Sequence, residues 1–259
     1  MARPRRSHHI PIATVTRLPL YQRVLTEVLR AGQTTISSEE LAVLAGVNAA
    51  KVRKDLSHLG TFGTRGTGYD PGYLVSQIDH CLGVDRDWPL AVVGVGNLGR
   101  ALVNSEGFST RGFRVAALFD VDPEVVGQVV GGMVVRHLDA LDRWGTPEDL
   151  DASQAGGDPD LPGPARLEIG VIATPAEAAQ DVADRLVAAG VGAILDFAPR
   201  VLRVPSDIVV RYVDLSMELQ VMSFFQSRRH AAWEDRPVPV PVPVPVLGAA
   251  GQAGSSGAA

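Results

Sequence analysis

Residues 90–120 read LAVVGVGNLGRALVNSEGFSTRGFRVAALFD. The apolar run 90–93 has the length and β-branched content of a buried parallel strand. It leads into a G-x-G-x-x-G sequence at 94–99, then a helical stretch, then a second apolar strand, 115–119, that ends at Asp120. This order of strand, glycine turn, helix and strand predicts an α/β fold with a Rossmann-like parallel sheet.

Each part of this stretch suits a dinucleotide. Gly94 permits the tight turn, Gly96 lets the backbone approach a pyrophosphate, and Gly99 lets the helix pack close to the strand. The free amides of a helix starting near Asn97 favour phosphate, and Asp120 has the position of a ribose-binding carboxylate that repels a 2′-phosphate. We therefore predict NADH and NAD⁺ as ligands; a purely structural βαβ turn is the alternative. The predicted binding residues are Gly94, Val95, Gly96, Asn97, Leu98, Gly99, Asp120 and Asp122.

Two later strands extend this site. Ligands of open parallel sheets lie at the carboxyl ends of the strands. The strand predicted at 168–173 runs into Thr174 and Pro175, and the strand at 193–195 runs into the sequence DFAP at 196–199. We expect the nicotinamide half of the site to lie on two segments, Ala173, Thr174 and Pro175 and Asp196, Phe197 and Ala198. Ordinary proline-terminated strand ends are the alternative.

The charge of the chain is unevenly distributed. The formal net charge is −5, yet residues 1–70 carry ten Lys or Arg against five Asp or Glu. The remainder is strongly acidic and would repel nucleic acid, so any DNA contact is expected from the N-terminal segment.

That segment has the pattern of a winged helix-turn-helix. A helix begins near Pro19, with Leu20, Val24, Leu25, Val28 and Leu29 as its apolar positions, and a capping box precedes a short second helix. Asn48 caps a third, basic helix that extends to about residue 58, and a glycine-rich hairpin follows at 60–69. The third helix is predicted to enter the major groove, with a solvated charged face as the alternative. The predicted DNA-binding residues are Lys51, Arg53, Lys54, Ser57, His58 and Arg65.

The sequence predicts five segments. They are a disordered basic N-terminus at 1–16, a winged-helix domain at 17–84, a Rossmann domain at 85–208, a C-terminal strand and helix at 209–233, and a Pro/Val and Gly/Ala/Ser tail at 234–259. A loop rich in Pro, Gly and Asp is expected at 146–165. The C-terminal helix is so apolar that it needs a partner, either its own domain or a second subunit.

Composition excludes several classes of protein. No run approaches the length of a membrane span, and the N-terminus lacks the apolar region of a secretory signal. Cys81 is the only cysteine, which excludes an internal disulfide and fits a reducing cytoplasm. We predict no metal site and no catalytic set, because His137 is the only histidine in the Rossmann region and has no evident carboxylate partner.

Five motifs together resemble the redox-sensing transcriptional repressor family Rex. They are VRKDLS at 52–57, GTRGTGY at 63–69, GVGNLG at 94–99, FDVDP at 119–123 and VDLS at 213–216. They occur in the family's order, and the resemblance covers about residues 15–230. It implies a homodimer in which the C-terminal helix is swapped onto the partner subunit. It also implies that NAD⁺ and NADH compete for one site, and that NADH releases the repressor from palindromic operators upstream of respiratory and fermentative genes.

The resemblance further implies an ion-pair switch near the nicotinamide. Arg17 and Arg23 match the family's N-terminal arginines, and Asp214 matches the carboxylate that pairs with one of them. The chain departs from the family at Ser105, where a tyrosine is common, and at Asp196, where an asparagine is usual. Our hypothesis is that a shorter hydroxyl and a negative charge alter the discrimination between NAD⁺ and NADH.

Two other functions compete with the sensor. One is an NAD-dependent oxidoreductase, which normally needs a His, Lys or Tyr within proton-transfer reach of its substrate. The other is a regulatory module that binds a nucleotide or coenzyme A through a similar glycine loop. The strand ends offer Thr174 and Asp196 but no convincing catalytic pair, which argues against the oxidoreductase, and the basic winged helix argues against the regulatory module.

Overall fold

A computed structural model of the chain describes residues 10–60, 68–109, 111–145 and 166–234. The predicted wing at 61–67 with Arg65, the loop at 146–165 and the tail beyond 234 lie outside these ranges. The chain forms two units, Met1–Val213 and Asp214–Ala259.

The first unit begins with five helices. They are α1 (Ile12–Val15), α2 (Leu18–Arg30), α3 (Ser38–Leu44), α4 (Ala49–Leu59) and α5 (Pro71–Leu82). The prediction of disorder through residue 16 is wrong for the described residues 10–16, since α1 forms there and Thr14 is buried. Hydrophobic periodicity cannot detect so short a helix, because four residues make only about one turn.

The predicted helix starts are confirmed in their hydrogen bonds. The Ser37 hydroxyl accepts the Glu40 amide at 3.1 Å, and the Glu40 carboxylate accepts the Ser37 amide at 2.8 Å, which closes the capping box. The Asn48 side chain accepts the Ala50 amide at 2.7 Å at the start of α4. These bonds satisfy amides that the helix itself leaves free.

One apolar core joins these helices. Its fully buried members come from α2, α3, α4 and α5 and from the segment before α3, and they are Leu18, Tyr21, Leu25, Ile36, Leu41, Val52, Leu56, Leu74 and Ile78. Leu29, which was expected on the buried side of α2, is 40% exposed. Val24, Leu25 and Val28 are buried as predicted, and Leu18 and Tyr21 extend the buried face toward the start of the helix.

The helix-turn-helix arrangement is present in α3 and α4. Gly46, with φ of +64°, lies in the turn between them. The chain before α3 pairs with the chain before α5, because Ile36 and Tyr69 exchange two backbone hydrogen bonds of 2.9 and 2.8 Å.

The rest of the first unit is built on one sheet. Its strands are β1 (Trp88–Val93), β2 (Phe113–Asp120), β3 (Val129–Val130), β4 (Met133–His137), β5 (Ile169–Ile172), β6 (Ala193–Asp196) and β7 (Val209–Tyr212). They are ordered β3-β4-β2-β1-β5-β6-β7, and every pair except β3–β4 is parallel. The chain reverses its direction of winding between β1 and β5, which is the switch point where such sheets bind ligands.

Helices cover both faces of the sheet. One face packs against α8 (Ala176–Ala188) and a 3-10 helix, Leu138–Arg143. The other face packs against α6 (Asn97–Val103), which a short helix α7 (Glu106–Ser109) follows. The predicted Rossmann-like sheet is therefore confirmed. β7 pairs with β6 of the same chain, so this strand belongs to the sheet rather than to a separate C-terminal element as predicted.

The second unit contains one described element, α9 (Leu215–Glu234). Its apolar side chains from Leu215 to Phe225 are between 54% and 71% exposed in the single chain. Within the described ranges, no helix has the length and apolar character needed to cross a membrane.

Candidate functional site

The glycine turn after β1 is shaped by two close backbone approaches. Gly94 has φ of +91°, and a Cβ there would lie 2.6 Å from the carbonyl oxygen of Ala173. A Cβ on Gly99 would lie 2.0 Å from the carbonyl oxygen of Gly94. Both distances are far below van der Waals contact, so the turn can exist only with glycine at these two positions. The structure thus accounts for the predicted turn and packing roles of Gly94 and Gly99.

Gly96 differs from its two neighbours. A Cβ there would meet nothing within 4 Å, and its φ of −72° is open to any residue. The fold therefore does not require glycine at this position. The residue directly precedes α6, where the first helical amides have no intrahelical acceptor. An open backbone beside free amides can accommodate a phosphate group, which keeps the predicted role of Gly96 in place.

Asp120 ties the end of β2 to the glycine turn. One carboxylate oxygen accepts the Val95 amide at 2.6 Å, and the other accepts the amides of Val121 and Asp122 at 2.7 and 3.0 Å. Sequence reasoning assigned Asp120 to the ribose and missed this structural role. The oxygen that binds the Val95 amide has a second lone pair, so it can also accept a ribose hydroxyl and the two roles are compatible. Asp122 accepts the Glu124 amide at 2.8 Å and shapes the turn that follows.

The structure brings the later strand ends to the same edge. The Ala173 amide donates to Val93 at 2.8 Å, which places 173–175 beside the glycine turn. The Phe197 amide donates to Ile172 at 2.9 Å, and its ring packs with the core on the α6 face. The predicted floor, 173–175 and Phe197, is thus assembled at the carboxyl edge of β1, β5 and β6.

Two buried polar atoms at this edge lack partners. Asp196 is 0% exposed; one carboxylate oxygen accepts the Ala198 amide at 2.8 Å, and Oδ2 has no hydrogen-bond partner among the described residues. The hydroxyl of Thr174 is likewise buried without a described partner. Burial raises the pKa of Asp196, which favours the neutral acid. Burial therefore opposes the negative charge that the sequence suggests at Asp196.

The exposed face of α4 carries only part of the predicted DNA-binding set. Lys51, Lys54 and Ser57 are exposed. Arg53 is also exposed, but its Nη1 donates to the Glu39 carboxylate at 2.6 Å and to the Ser38 hydroxyl at 3.0 Å, so it braces α4 against α3. His58 is half-buried with Nε2 inaccessible, which places it between the core and the surface.

The inner face of α4 holds a buried carboxylate that the sequence did not reveal. Asp55 is 1% exposed and accepts four hydrogen bonds. Arg17 donates two of 2.7 Å, Tyr21 one of 2.8 Å, and Thr14 one of 2.9 Å. These donors outweigh burial and lower the pKa of Asp55, while burial and the neighbouring carboxylate raise the pKa of Tyr21 to about 12. This group, the Asp55 cluster, joins α1 and α2 to the basic helix.

The Asp55 cluster distinguishes the two predicted switch arginines. Arg17 already uses Nε and Nη2 on Asp55, and its side chain is 25% exposed. Arg23 is exposed on α2, and no hydrogen bond or ion pair joins its side chain to another described residue. Of the pair, Arg23 is the one whose guanidinium is free to meet another carboxylate.

The remaining switch residues have local partners. The Ser105 hydroxyl is exposed and accepts the Gly107 amide at 3.3 Å. In the second unit, the Asp214 carboxylate accepts the Ser216 amide at 2.8 Å and its hydroxyl at 2.6 Å. Those two bonds lower the pKa of Asp214, so it is ionised and available as an anion.

His137 does have a carboxylate neighbour, contrary to expectation. Its Nδ1 lies 3.2 Å from the carboxylate of Asp139, and both side chains are about half exposed. Across the described ranges, no group of three or more His, Cys, Asp or Glu side chains has the arrangement of a metal site.

The fold and both sites define a two-domain protein with a helix-turn-helix unit and a dinucleotide-type Rossmann unit. Residues 9–57 match the family described as "Putative DNA-binding protein N-terminus", and residues 85–148 match the "CoA binding domain" family.

Curated relatives identify the family. The chain is 54% identical over 224 residues, covering 86% of this chain and 82% of the relative, to the redox-sensing transcriptional repressor Rex of Streptomyces avermitilis. It is 42% identical over 216 residues, covering 83% and 95%, to the Rex protein of Syntrophomonas wolfei.

Solved structures agree. RSP in complex with β-NAD⁺ and operator DNA is similar with a TM-score of 0.73 at 32% identity, covering 87% of this chain and 96% of that one. RSP in complex with β-NADH gives a TM-score of 0.73 at 30% identity, covering 88% and 99%. The chain belongs to the Rex family of redox-sensing transcriptional repressors.

We expect Asp55→Asn to destabilise the N-terminal helices by about 3 kcal/mol. Removing one partner of a buried ion pair costs about 3–5 kcal/mol, and the partial exposure of Arg17 places this case at the low end. The measurement is urea unfolding followed by circular dichroism, with the exposed Asp207→Asn as the matched control. Equal unfolding free energies for Asp55→Asn and wild type would show that the cluster does not hold the basic helix.

Proposed function

We propose that this chain is a repressor that binds operator DNA as a homodimer and is released when NADH occupies the glycine turn, with NAD⁺ competing. The observation that carries this proposal is the presence, in one chain, of an open dinucleotide cradle at Gly96 and an exposed basic helix, α4. Relatives whose structures hold β-NAD⁺ with operator DNA, or β-NADH, support it.

The DNA-binding half rests on α4. Lys51 and Lys54 are exposed, so their ammonium groups can contact phosphates or base edges. Ser57 is exposed beside them and can donate to a phosphate oxygen. Arg53 keeps free donors besides the one bound to Glu39, so it can brace the helix and still reach the DNA. We propose Arg65, in the undescribed wing, as a further contact.

The cofactor half rests on the fit of the glycine turn. Gly94 and Gly99 fix the turn, Gly96 leaves space for a pyrophosphate, and Asp120 places a carboxylate at the end of β2. A carboxylate there repels a ribose phosphate, which favours NAD(H) over NADP(H). When bound, the cofactor supplies a nicotinamide ring that is positively charged in NAD⁺ and neutral in NADH.

The homodimer is inferred from α9. Its apolar side chains leave a surface that a monomer would have to expose to water, and such surfaces mark protein interfaces. The large apolar residues are Leu215, Met217, Leu219, Val221, Met222, Phe224 and Phe225. We propose that α9 is swapped onto a partner subunit, because a second copy supplies a self-complementary surface with two-fold symmetry. Two-fold symmetry also fits a palindromic operator.

We assign the ion-pair switch to Arg23. We propose that Asp214 pairs with Arg23 in the DNA-binding state, because Arg17 is held by Asp55 while Arg23 has no described partner. Ser105 takes the position from which the family's tyrosine binds that carboxylate. Its short hydroxyl, which already accepts the Gly107 amide, predicts a weakened NADH-dependent contact.

A coenzyme A-binding module is the second candidate, because the matching "CoA binding domain" family covers the glycine turn. The Asp120 carboxylate argues against it, since coenzyme A carries a phosphate on its ribose. We also propose that the chain is not an oxidoreductase. The side chains that the structure describes at 173–175 and 196–198 provide no His, Lys or Tyr for proton transfer. As a DNA-binding regulator, it is proposed to act in the cytoplasm.

The substitution Gly96→Ala tests NADH binding without disturbing the fold. The added methyl group meets no protein atom, so stability should be unchanged, but it occupies the space proposed for the pyrophosphate. We expect NADH affinity to fall at least tenfold, about 1.4 kcal/mol, in a fluorescence titration. Gly192→Ala, also in open space but at the opposite edge of the sheet, is the matched control. Unchanged NADH affinity in Gly96→Ala would place the ligand elsewhere.

A gel shift tests the function itself. On an inverted-repeat operator, NADH should release the protein at lower concentration than NAD⁺, and neither NADPH nor coenzyme A should release it. Lys54→Ala should weaken binding and lower the slope of log affinity against log salt by about 1, while Arg211→Ala on β7 should not. Absence of any DNA complex, together with hydride transfer from NADH, would favour the oxidoreductase instead.

A further inference from the structure

Asp196 is a buried acid that the proposed switch does not use. The other buried polar or charged residues described are Thr14, Ser38 and Asp55, and each has its side chain hydrogen-bonded. Asp55 accepts four bonds and has a guanidinium beside it. Asp196 receives a single amide bond, and its Oδ2 has no described partner. A buried acid that receives one hydrogen bond and has no cation beside it is more stable as the neutral carboxylic acid than as the charged carboxylate.

The titratable groups on the segments beside Asp196 are either hydrogen-bonded to other residues or exposed. Tyr212, which pairs with Asp196 across β6 and β7, accepts the Leu202 amide through its hydroxyl. Arg200, in the turn after β6, donates to the carbonyl of Ala176. Glu177, in the first turn of α8, is exposed.

The acidic residues on the 3-10 helix, β2 and β5 likewise bind other groups or lie away from Asp196. The 3-10 helix carries Asp139 and Asp142, which pair with Arg185, and β2 ends in Asp120, which binds backbone amides. On the β5 side, Glu168 lies at the opposite end of the strand. Burial is the largest influence on Asp196, and no charged side chain that the structure describes contributes to the raised pKa.

Asp196 lies at the edge of the sheet where the ligand is expected to bind. It closes β6, directly beside Ile172 and the chain that continues to Thr174. In parallel sheets this edge receives the ligand, and the nicotinamide half is assigned here. NAD⁺ brings a positive charge to that half, whereas NADH does not. A cation within about 6 Å of a buried carboxyl group favours its ionised form.

We propose that Asp196 is a specificity-determining residue that favours NAD⁺ over NADH by ionising when NAD⁺ binds. This inference rests on the proposed function of the glycine turn as an NAD(H) site. The step is a proton transfer alone: the carboxyl O–H bond breaks, the proton passes to solvent, and the positive charge of bound NAD⁺ would stabilise the carboxylate that remains. NADH leaves Asp196 protonated.

The proposal makes the sensor respond to pH in a defined direction. Where the free acid is protonated and the NAD⁺ complex is ionised, NAD⁺ affinity rises by up to about tenfold for each unit of pH. NADH affinity stays constant over the same interval. A higher pH therefore strengthens the competitor, and more NADH relative to NAD⁺ is needed to release the operator.

Calorimetric titration of the full chain tests this directly. NAD⁺ and NADH are titrated across the pH range in which the protein stays folded, in pairs of buffers with different ionisation enthalpies. Wild type should release up to one proton per site with NAD⁺ and none with NADH. In Asp196→Asn the proton release should vanish and NAD⁺ affinity should lose its pH dependence. Asp207→Asn, an exposed acid before β7, should behave as wild type.

The outcomes separate the two proposals. If both cofactors bind but NAD⁺ releases no proton and its affinity follows that of NADH at every pH, the role of Asp196 is contradicted while the NAD(H) site stands. If neither cofactor binds, the proposed function itself fails. Should Asp196→Asn melt well below wild type, the proton release of wild type alone still decides the question.

Discussion

The cofactor site depends on one close approach, that of Gly99 to the carbonyl of Gly94. With no side chain between them, α6 begins directly over the end of β1, and a Cβ there would lie 2.0 Å from the oxygen. Asp120 then fixes the turn from the neighbouring strand by accepting the Val95 amide. The consequence is a loop that is closed by protein at Gly94 and Gly99 and open at Gly96. A rigid, open backbone binds a ligand without first being ordered, which reduces the entropic cost of binding.

The DNA-binding end depends on a comparable constraint. The Asp55 cluster holds the basic helix against α1 and α2 from its inner side, while the bond of Arg53 to Glu39 holds it against α3. Lys51 and Lys54 are thus presented by a helix fixed on two sides. A ligand can release DNA only through a difference in its affinity for two arrangements of the dimer. Rigid recognition helices make their spacing, rather than their local structure, the quantity that the cofactor can change.

Sequence patterns correctly predicted the features that depend on residues close together in the chain. The glycine turn, the parallel strands and the Ser37–Glu40 capping box follow from local spacing, and all are present. Contacts between distant residues were missed. Arg17 lies 38 residues from Asp55, and nothing in the periodicity of either helix indicates that they meet. The burial of Asp196 was missed for a related reason, since a sequence shows that a residue is acidic but not that it is fully buried.

In the proposed mechanism the cofactor changes the distance between the two recognition helices of the dimer, and that distance can be measured. Spin labels attached to Arg30→Cys, at the exposed end of α2 in a Cys81→Ser background, report the separation of the two N-terminal domains by pulsed electron resonance. With NAD⁺ and operator present, the distribution of distances should be narrow, and the separation should be compatible with half-sites about 34–36 Å apart. Saturating NADH should shift it to a different value. Identical distance distributions with NAD⁺ and with NADH would contradict the account.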